Sequence, residues 1–245
     1  MSTERKVLEV RGVLVDVVRK DIANLHLGVY PPDGHVRVSA PLTVSDEAIR
    51  LAVIGKLAWI RRKREDFERQ PRQAEREAVT GESHYFFGRR YRLRVVASNG
   101  RPHVVLRSKT ILELHVSPEA TKTQRLRSLD RWYRDQLRVA AAPIIAKLEA
   151  ELGVQASRWG IKRMKTKWGS CNLESKSIWI NSELAKKPVE CLEYLVAHEL
   201  VHLLVPLHGD TFGQRMDRII PNWRILRETL NREPLAYEYW EHEIE

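Results

Sequence analysis

The amino-acid sequence predicts an α+β fold in which a β-rich N-terminal part precedes a C-terminal part built around one apolar helix. Up to residue 116, most segments are rich in Val or alternate apolar and polar residues, as strands do. From Ser117 the period becomes helical, and a strongly apolar helix is predicted over residues 188–205 after two short strands. We therefore expect two domains, residues 1–116 and residues 117–245, with the apolar helix packed on a small sheet.

The N-terminal part is predicted to contain two groups of strands, over residues 6–41 and 85–116. Between them, residues 44–69 carry apolar side chains at helical spacing, and Ser45 is placed to cap one long helix. Residues 71–84 are polar and predict a loop. We expect no internal repeat.

The C-terminal part opens with a long helical pattern over residues 117–153. Ser117 is placed to cap this helix, Gly153 is placed to end it, and Pro143 is expected to kink or split it. Short strands are predicted at 158–166 and 177–181, and short helices at 211–219 and 222–231.

The charge is concentrated in the middle of the chain. The net charge is +10, and residues 50–138 alone hold 22 Lys and Arg against 10 Asp and Glu. This basic region predicts either a solvated surface or a binding site for nucleic acid or another polyanion. The apolar runs are too short to span a bilayer, and the N-terminus lacks the apolar segment of a secretory signal. With only two cysteines, Cys171 and Cys191, we expect a cytoplasmic protein with reduced thiols and no membrane partner.

A metal site is predicted by the H-E-x-x-H motif within the apolar helix. His198 and His202 are four residues apart, so their imidazoles lie on one face of the helix and can bind one tetrahedral Zn²⁺. Glu199 lies one step round the helix, where it can deprotonate a metal-activated water. The alternative, two structural histidines on a core helix, would leave buried polar groups unpaired at roughly 1–3 kcal/mol each.

A catalytic zinc site needs a third protein ligand, and several residues are candidates. His208 follows His202 by six residues, beyond the helix-stopping Pro206. This is the spacing of H-E-x-x-H-x-x-G-x-x-H metalloproteases, although Val205 stands where those proteins have glycine. We favour His208 because imidazole suits zinc and a loop can return to the metal. The rivals are Asp210, Asp217, Glu228 and His242.

The segment from Met164 to Leu230 combines several motifs: K-x-K-W-G-S-C, a strand ending in Asn181, the H-E-x-x-H helix, a later His-Gly followed by Phe212, and P-x-W. With this combination it resembles the YgjP-like metallopeptidase domain, a family of predicted metal-dependent hydrolases in the zincin group. Upstream, WIRRKRE and FFGRRYRLRVV also resemble the family's N-terminal region, so the resemblance covers nearly the whole chain, from about Val13 to Leu230. The resemblance implies a zincin-like catalytic domain with one zinc ion, bound by His198, His202 and His208, and with Glu199 as the catalytic base.

The family resemblance also directs attention to the KWGSC segment. In zincins an edge strand beside the active-site helix can pair with an extended peptide, which makes Trp168, Gly169 and Ser170 candidate substrate-binding residues. The alternative is a glycine-containing turn with a packed Trp. Cys171 is expected to be a small buried residue and Cys191 a core residue, rather than a ligand or nucleophile.

Two hypotheses of function follow from these features. The first is a zinc metallopeptidase that hydrolyses peptide bonds with Glu199 as general base. The second is a nucleic-acid-associated zinc protein, or a protease acting on DNA-bound proteins, that uses the basic region 50–138. SprT-like proteases, which are similar in fold and ligand pattern, favour the latter version by analogy only. Asn181 is expected to orient a loop or cap the next turn, and Tyr194 to pack in the core.

Overall fold

A computed structural model of the chain describes residues 4–30, 34–69, 76–164 and 167–232. These residues belong to two compact units, divided between residues 74 and 75. Helices and small sheets are mixed in both units, which confirms the predicted α+β class. No helix within the described ranges combines the length and the apolar character needed to cross a membrane. The boundary predicted between residues 116 and 117 stays a prediction about domain organisation.

The first unit is a four-stranded sheet followed by two helices. Its strands, in the spatial order β1-β2-β4-β3, are β1 (Glu4–Val10), β2 (Val13–Lys20), β3 (His26–Tyr30) and β4 (His35–Pro41). The central pair β2 and β4 is parallel, and the two outer pairs are antiparallel. The helices are α1 (Asp46–Ile54) and α2 (Leu57–Arg69). Three helical residues pack on the valine-rich face of the sheet and close the core: Ile49, Val53 and Ile60.

The single helix predicted over residues 44–69 is divided in the structure. Ser45 caps α1 as predicted, since its hydroxyl accepts a hydrogen bond from the Ala48 backbone at 3.2 Å. Gly55 ends α1 by donating its N–H to the Leu51 carbonyl at 3.0 Å, and a turn precedes α2. A glycine inside a helix costs about 1 kcal/mol relative to alanine, so a break at Gly55 is inexpensive.

The second unit begins with another four-stranded sheet and the longest helix among the described residues. The strands, in the order β5-β6-β8-β7, are β5 (Ser83–Phe86), β6 (Arg89–Ala97), β7 (His103–Leu106) and β8 (Ile111–Val116). Helix α3 (Lys122–Leu152) follows and is not split at Pro143. Its predicted cap at Ser117 is wrong, because Thr121 and Gln124 form a reciprocal capping box four residues later. Gly153 ends the helix in a left-handed conformation, as predicted.

The two four-stranded sheets repeat one topology, so the expectation of no internal repeat is wrong. Each sheet has a parallel central pair, two antiparallel outer pairs and a helix after its last strand. Equivalent positions lie 76 residues apart, which is the distance between the helix caps Ser45 and Thr121. At the same spacing, the fourth strands bury Val36, Val38 and Ala40 in one sheet and Leu112, Leu114 and Val116 in the other. The equivalent residues mostly differ in identity, which hides the repeat in the sequence.

The remaining described residues of the second unit form a three-stranded sheet and three helices. The strands, in the order β10-β11-β9, are β9 (Arg158–Lys162), β10 (Gly169–Asn172) and β11 (Ser177–Asn181). Strand β11 is parallel to β9 and antiparallel to β10. A short 3₁₀ turn (Ser182–Lys186) leads into α4 (Val189–His202), α5 (Asp210–Ile219) and α6 (Trp223–Arg232). Helix α4 packs against α3 on one side and against β10 and β11 on another.

Candidate metal centre

Helix α4 carries the H-E-x-x-H motif and is buried along most of its length. Its buried apolar residues are Cys191, Leu192, Leu195, Val196, Ala197, Leu200 and Val201. The helix ends at His202, and one further turn closes when the Val205 N–H bonds to the Val201 carbonyl at 2.9 Å. The motif is therefore held at the end of a helix whose position the core fixes on several sides.

Three histidine rings converge at the end of α4. The Nε2 atoms of His198 and His202 are 3.2 Å apart, and Nε2 of His208 lies 3.1 Å from the first and 3.0 Å from the second. Nitrogens that bind one tetrahedral Zn²⁺ at about 2.0–2.1 Å are separated by roughly 3.3 Å. The triangle of ring nitrogens thus has nearly the size of one face of a zinc tetrahedron, and this donor set fits a divalent metal ion.

The two helical histidines are held in the form that binds metals. The Nδ1 atom of His202 lies 3.2 Å from the Val205 carbonyl oxygen, so Nδ1–H donates there and the Nε2 lone pair stays available. Burial, together with the smaller effects of the neighbouring His202 and His208, lowers the pKa of His198 to about 3. Burial also lowers the pKa of His202. Both imidazoles are therefore neutral at physiological pH, as metal ligands must be.

Phe212 packs behind all three histidines. Its ring centroid lies 4.9 Å from that of His198, 4.8 Å from that of His202 and 4.9 Å from that of His208. The side chain is buried and belongs to the first turn of α5, which starts just after His208. An apolar contact on α5 therefore returns the chain to α4, without the glycine that related motifs have at position 205.

The rival third ligands lie outside the converging group. Asp217 accepts a hydrogen bond from Trp223 Nε1 at 2.8 Å and is also paired with the Arg224 guanidinium. Asp210 opens α5 and Glu228 is carried by α6, and the ligand atoms of neither converge with the histidines. His242 lies outside the described residues.

Glu199 lies next to the histidine triad in a buried position. Only 5% of the residue is exposed, and burial raises the pKa of its carboxyl to about 7, against the opposing charge of Lys167. The carboxylate rests against Gly169 of β10, where an added Cβ would lie 2.5 Å from Oε1. The sequence predicts that Gly169 is a substrate contact. The structure gives this residue a second role, because only glycine allows the Glu199 carboxylate to approach the strand so closely.

The KWGSC segment lies at the edge of the three-stranded sheet. Residues Gly169–Asn172 form β10, which has β11 on one side and no strand of the described residues on the other. The turn of the alternative is therefore wrong, whereas its packed Trp is confirmed, because Trp168 packs against the core. Trp168 is half-buried, and its carbonyl accepts the Asn181 N–H at 2.8 Å. Ser170 is half-buried and pairs in register with Trp179 of β11. The structure thus places Trp168, Gly169 and Ser170 together along a strand edge beside Glu199.

Asn181 has both of its predicted structural roles. Its Nδ2 donates to the carbonyls of Met164 and Lys167 at 2.8 and 2.7 Å, which orients the segment leading to Trp168. Its Oδ1 accepts the Glu183 N–H at 3.2 Å, which caps the 3₁₀ turn. Through these bonds a fully buried side chain fixes the approach to the edge strand.

Three other residues near α4 have structural positions. Cys191 is buried in the core as predicted, whereas Cys171 is only half-buried; both thiols are free. Burial, and then the charge of Glu199, raises the pKa of the Cys171 thiol to about 11, which keeps it protonated. Tyr194 is buried as expected, and its ring lies 5.8 Å from that of His198 and 6.5 Å from that of Trp223.

Comparison with known proteins identifies one family and several similar solved structures. A family model described as YgjP-like, metallopeptidase domain matches residues 25–233. A search of curated proteins finds no match. Among solved structures, the chain is similar to the metallopeptidase zymogen of Pyrococcus abyssi abylysin at 15% identity and a TM-score of 0.36, covering 39% of this chain and 99% of that one. It is also similar to the zymogen of Methanocaldococcus jannaschii jannalysin at 22% identity and a TM-score of 0.34, covering 37% and 86%.

Proposed function

The chain belongs to the YgjP-like metallopeptidase family, and from this premise we propose that it is a zinc-dependent peptidase with Glu199 as its general base. Family membership supports a metal-dependent peptidase in general terms. The observation that carries the finer proposal is the convergence of His198, His202 and His208, with Nε2 atoms 3.0–3.2 Å apart, beside a buried carboxylate. Three imidazoles suit Zn²⁺ and leave a coordination position open, as catalytic zinc sites require.

The residues of the site have separate tasks in peptide hydrolysis. A bound zinc ion supplies Lewis acidity to the scissile carbonyl and to a water molecule. Glu199 accepts the proton of the attacking water on a carboxylate oxygen and later donates it to the nitrogen of the leaving amine. Burial raises the pKa of this carboxyl, which favours its uptake of a proton from water. Gly169 leaves room for this carboxylate, because any side chain at that position would collide with it.

We place the substrate along the free edge of β10. The unpaired backbone groups of an edge strand can bond with the main chain of an extended peptide. Because Gly169 contacts the Glu199 carboxylate, a peptide paired with this strand would pass beside the base. Trp168 and Ser170 flank that point, so their side chains are the proposed contacts with the peptide. Main-chain recognition predicts that pairing with β10 depends little on the side chains of the peptide.

Glu199→Gln tests the mechanism because it removes the base and keeps the shape. We expect full zinc content by atomic absorption and a loss of peptidase activity on denatured protein of roughly 10²–10⁴-fold. Glu190→Gln is the matched control, since Glu190 is an exposed residue in the first turn of the same helix. A zinc-loaded Glu199→Gln protein with wild-type activity would contradict the role of this residue.

The third ligand is tested by metal affinity. His208→Ala is expected to lower zinc affinity strongly, because two imidazoles alone make an incomplete site. Asp217→Asn is expected to retain zinc, because Asp217 is engaged by Trp223 and Arg224. The reverse result, measured by competition with a chromogenic chelator, would move the third ligand from His208 to Asp217.

A second candidate function, association with single-stranded nucleic acid, is favoured by the solvent face of the β5-β6-β8-β7 sheet. Arg90, Arg92 and Arg94 alternate along β6 on this face and are all exposed. Of the three, Arg94 is paired with Glu113. The exposed Tyr85 and a pair of stacked rings, His103 and His115 at 4.5 Å, lie on the same face. Cationic side chains interleaved with rings are what proteins use to hold single strands.

The second candidate is tested by the salt dependence of binding. A fluorescent single-stranded oligonucleotide is titrated with the protein at several salt concentrations. We expect log affinity to fall linearly with log salt, by about 0.7 for each phosphate contacted. A flat dependence, or no binding near roughly 100 mM salt, would count against this surface.

A further inference from the structure

A cavity of about 640 Å³ adjoins the histidine triad inside the second unit. His198 and His208 line one part of this cavity, and two arginines of α6, Arg224 and Arg227, line another. A group bound in the cavity is therefore next to the proposed metal site and also meets cationic side chains. The two arginines are three residues apart on the helix, yet their surroundings differ.

Arg224 forms an ion pair with a carboxylate of the protein itself. Its guanidinium donates to both carboxylate oxygens of Asp217, with Nη2 at 3.3 Å from Oδ2, and lies 4.6 Å from the ring centroid of Trp223. The hydrogen bond from Arg224, and then that from Trp223, holds the pKa of Asp217 below its usual range. The pair balances its own charge, so Arg224 is not available to a ligand.

Arg227 has no comparable partner. Within the described ranges, no hydrogen bond or ion pair holds its guanidinium, and the side chain is exposed. Its charge nevertheless acts near the triad, because it opposes the rise that burial causes in the pKa of Tyr194. The ring of Tyr194 lies 5.8 Å from the ring of His198. Among the described residues, Arg227 thus presents an unengaged cation on the wall of a cavity that borders the site.

The carboxylates that line the cavity are already balanced. Asp217 is held by Arg224 and Trp223. Asp210 is the first residue of α5, where the partial positive charge of the helix N-terminus offsets a carboxylate. Arg227 therefore keeps its charge available for an anionic group that enters from solvent.

We propose that Arg227 binds a carboxylate of the peptide substrate in this cavity and so directs cleavage to bonds close to such a group. A guanidinium meets a carboxylate through two parallel N–H···O bonds, which orient the substrate as well as attract it. The inference rests on the proposed peptidase function, because it assigns a specificity to that same site. An acidic side chain and the C-terminus of a peptide present the same group.

Matched peptides separate these two sources of the carboxylate. A peptide that the zinc-loaded protein binds is prepared in three forms. One has Glu near the scissile bond and an amidated C-terminus, the second has Gln and an amidated C-terminus, and the third has Gln and a free C-terminus. Preference for the first form assigns an acidic side chain, and preference for the third assigns the chain terminus. Equal affinity for all three overturns the proposal.

Arg227→Gln tests the residue itself. We expect KM for the preferred peptide to rise roughly 10–100-fold, while the neutral peptide is unaffected. Arg218→Gln is the control, because Arg218 is an exposed residue of α5 outside the cavity and loses the same charge. An equal rise in KM for the neutral peptide, or an equal effect of Arg218→Gln, would overturn the assignment.

A binding measurement keeps this inference separate from the proposed chemistry. Fluorescence anisotropy of the labelled peptides is measured with zinc-loaded Glu199→Gln, alone and combined with Arg227→Gln. If the wild type cleaves nothing but binding still needs the carboxylate and Arg227, the proposed reaction fails and the specificity stands. If cleavage occurs but binding is indifferent to both, the specificity fails and the reaction stands.

Discussion

The hairpin turns of the two repeated sheets have the same backbone shape and different neighbours. Arg11–Gly12 in the first unit and Phe87–Gly88 in the second both have positive φ at both residues, as a tight two-residue turn requires. Nothing lies within 4 Å of the Cβ position of Gly12. That of Gly88, in contrast, lies 3.1 Å from Pro188, the residue that opens α4. The second copy of the turn thus supports the helix that carries the candidate site.

The helices that follow the two sheets also differ in whether they support the candidate site. Helix α1 ends after nine residues at Gly55, whereas α3 continues for 31 residues from an equivalent cap. The extra length of α3 buries Leu137, Ala141, Ile145 and Leu148, and α4 packs against this helix. The candidate site therefore depends on elements added to the repeated sheet and helix, because the described residues of the first unit have that sheet and helix and no such site.

The largest expected effect comes from truncating equivalent core residues. Leu114 and Val38 are fully buried at matching positions of the fourth strands. Leu114→Ala is expected to lower the free energy of unfolding of the second unit by about 2–5 kcal/mol and to weaken zinc binding with it. Val38→Ala removes fewer carbons and should leave zinc binding unchanged. Urea unfolding and chelator competition measure both effects, and equal weakening of zinc binding would break the comparison.

The next largest difference, in thermal stability and in activity, is expected between substitutions of the two turn glycines. Gly12→Ala places a side chain at positive φ, which costs about 1–2 kcal/mol. Gly88→Ala has the same strain and also presses on Pro188, which adds about 1–3 kcal/mol. We therefore expect Gly88→Ala to have the larger effect in thermal unfolding and to reduce peptidase activity, whereas Gly12→Ala should not reduce it. Equal losses would show that the Pro188 contact contributes little.

The sequence predicted features that lie within a single helix or strand better than contacts between different elements. Alternating residues predicted the strands, and the spacing of His198 and His202 predicted two converging rings, because both follow from the geometry of a single element. The cap at Thr121 was missed because Ser117 followed by Pro118 is an equally good local signal. Gly55 was missed because one glycine does not interrupt a helical pattern.

Features that depend on distant residues were beyond sequence reasoning. The close approach of Gly169 to Glu199 joins a strand to a helix, and nothing local marks it. Arg227 stands out only because Arg224, three residues earlier, is bound by Asp217. The repeat was hidden because burial, rather than residue identity, is what its two copies share. His208 is favoured by the chemistry of imidazole and the reach of a loop, but its return to α4 depends on Phe212 of the next helix.

A smaller difference in stability between the two sheets, one that depends on pH, is expected from a buried histidine. His84 occupies the position equivalent to Leu8, and burial, aided by Arg76, lowers its pKa to about 3. Its folded pKa is below the unfolded value near 6.5, so acid protonates only the unfolded state, and stability falls as pH drops below about 6.5. The loss is at most about 1.4 kcal/mol per pH unit. In His84→Leu this contribution should vanish, and parallel stability curves between pH 7 and 5 would contradict the assignment.

The smallest expected effect on stability comes from the solvent faces of the two sheets, where the charges are arranged in opposite ways. In the first, the Asp16 carboxylate lies 2.9 Å from His35 and 3.5 Å from Arg37, so the face is balanced internally. Arg92 is the equivalent residue in the second sheet and is exposed.

Arg92→Asp should change the free energy of unfolding by no more than about 0.5 kcal/mol. It should nevertheless weaken the salt dependence of binding to a single-stranded oligonucleotide. The slope of log affinity against log salt should fall by about 0.7 for each phosphate that the protein no longer neutralises. Arg37→Gln should leave that slope unchanged. A slope that responds equally to both substitutions would assign the binding to overall net charge rather than to the face of the second sheet.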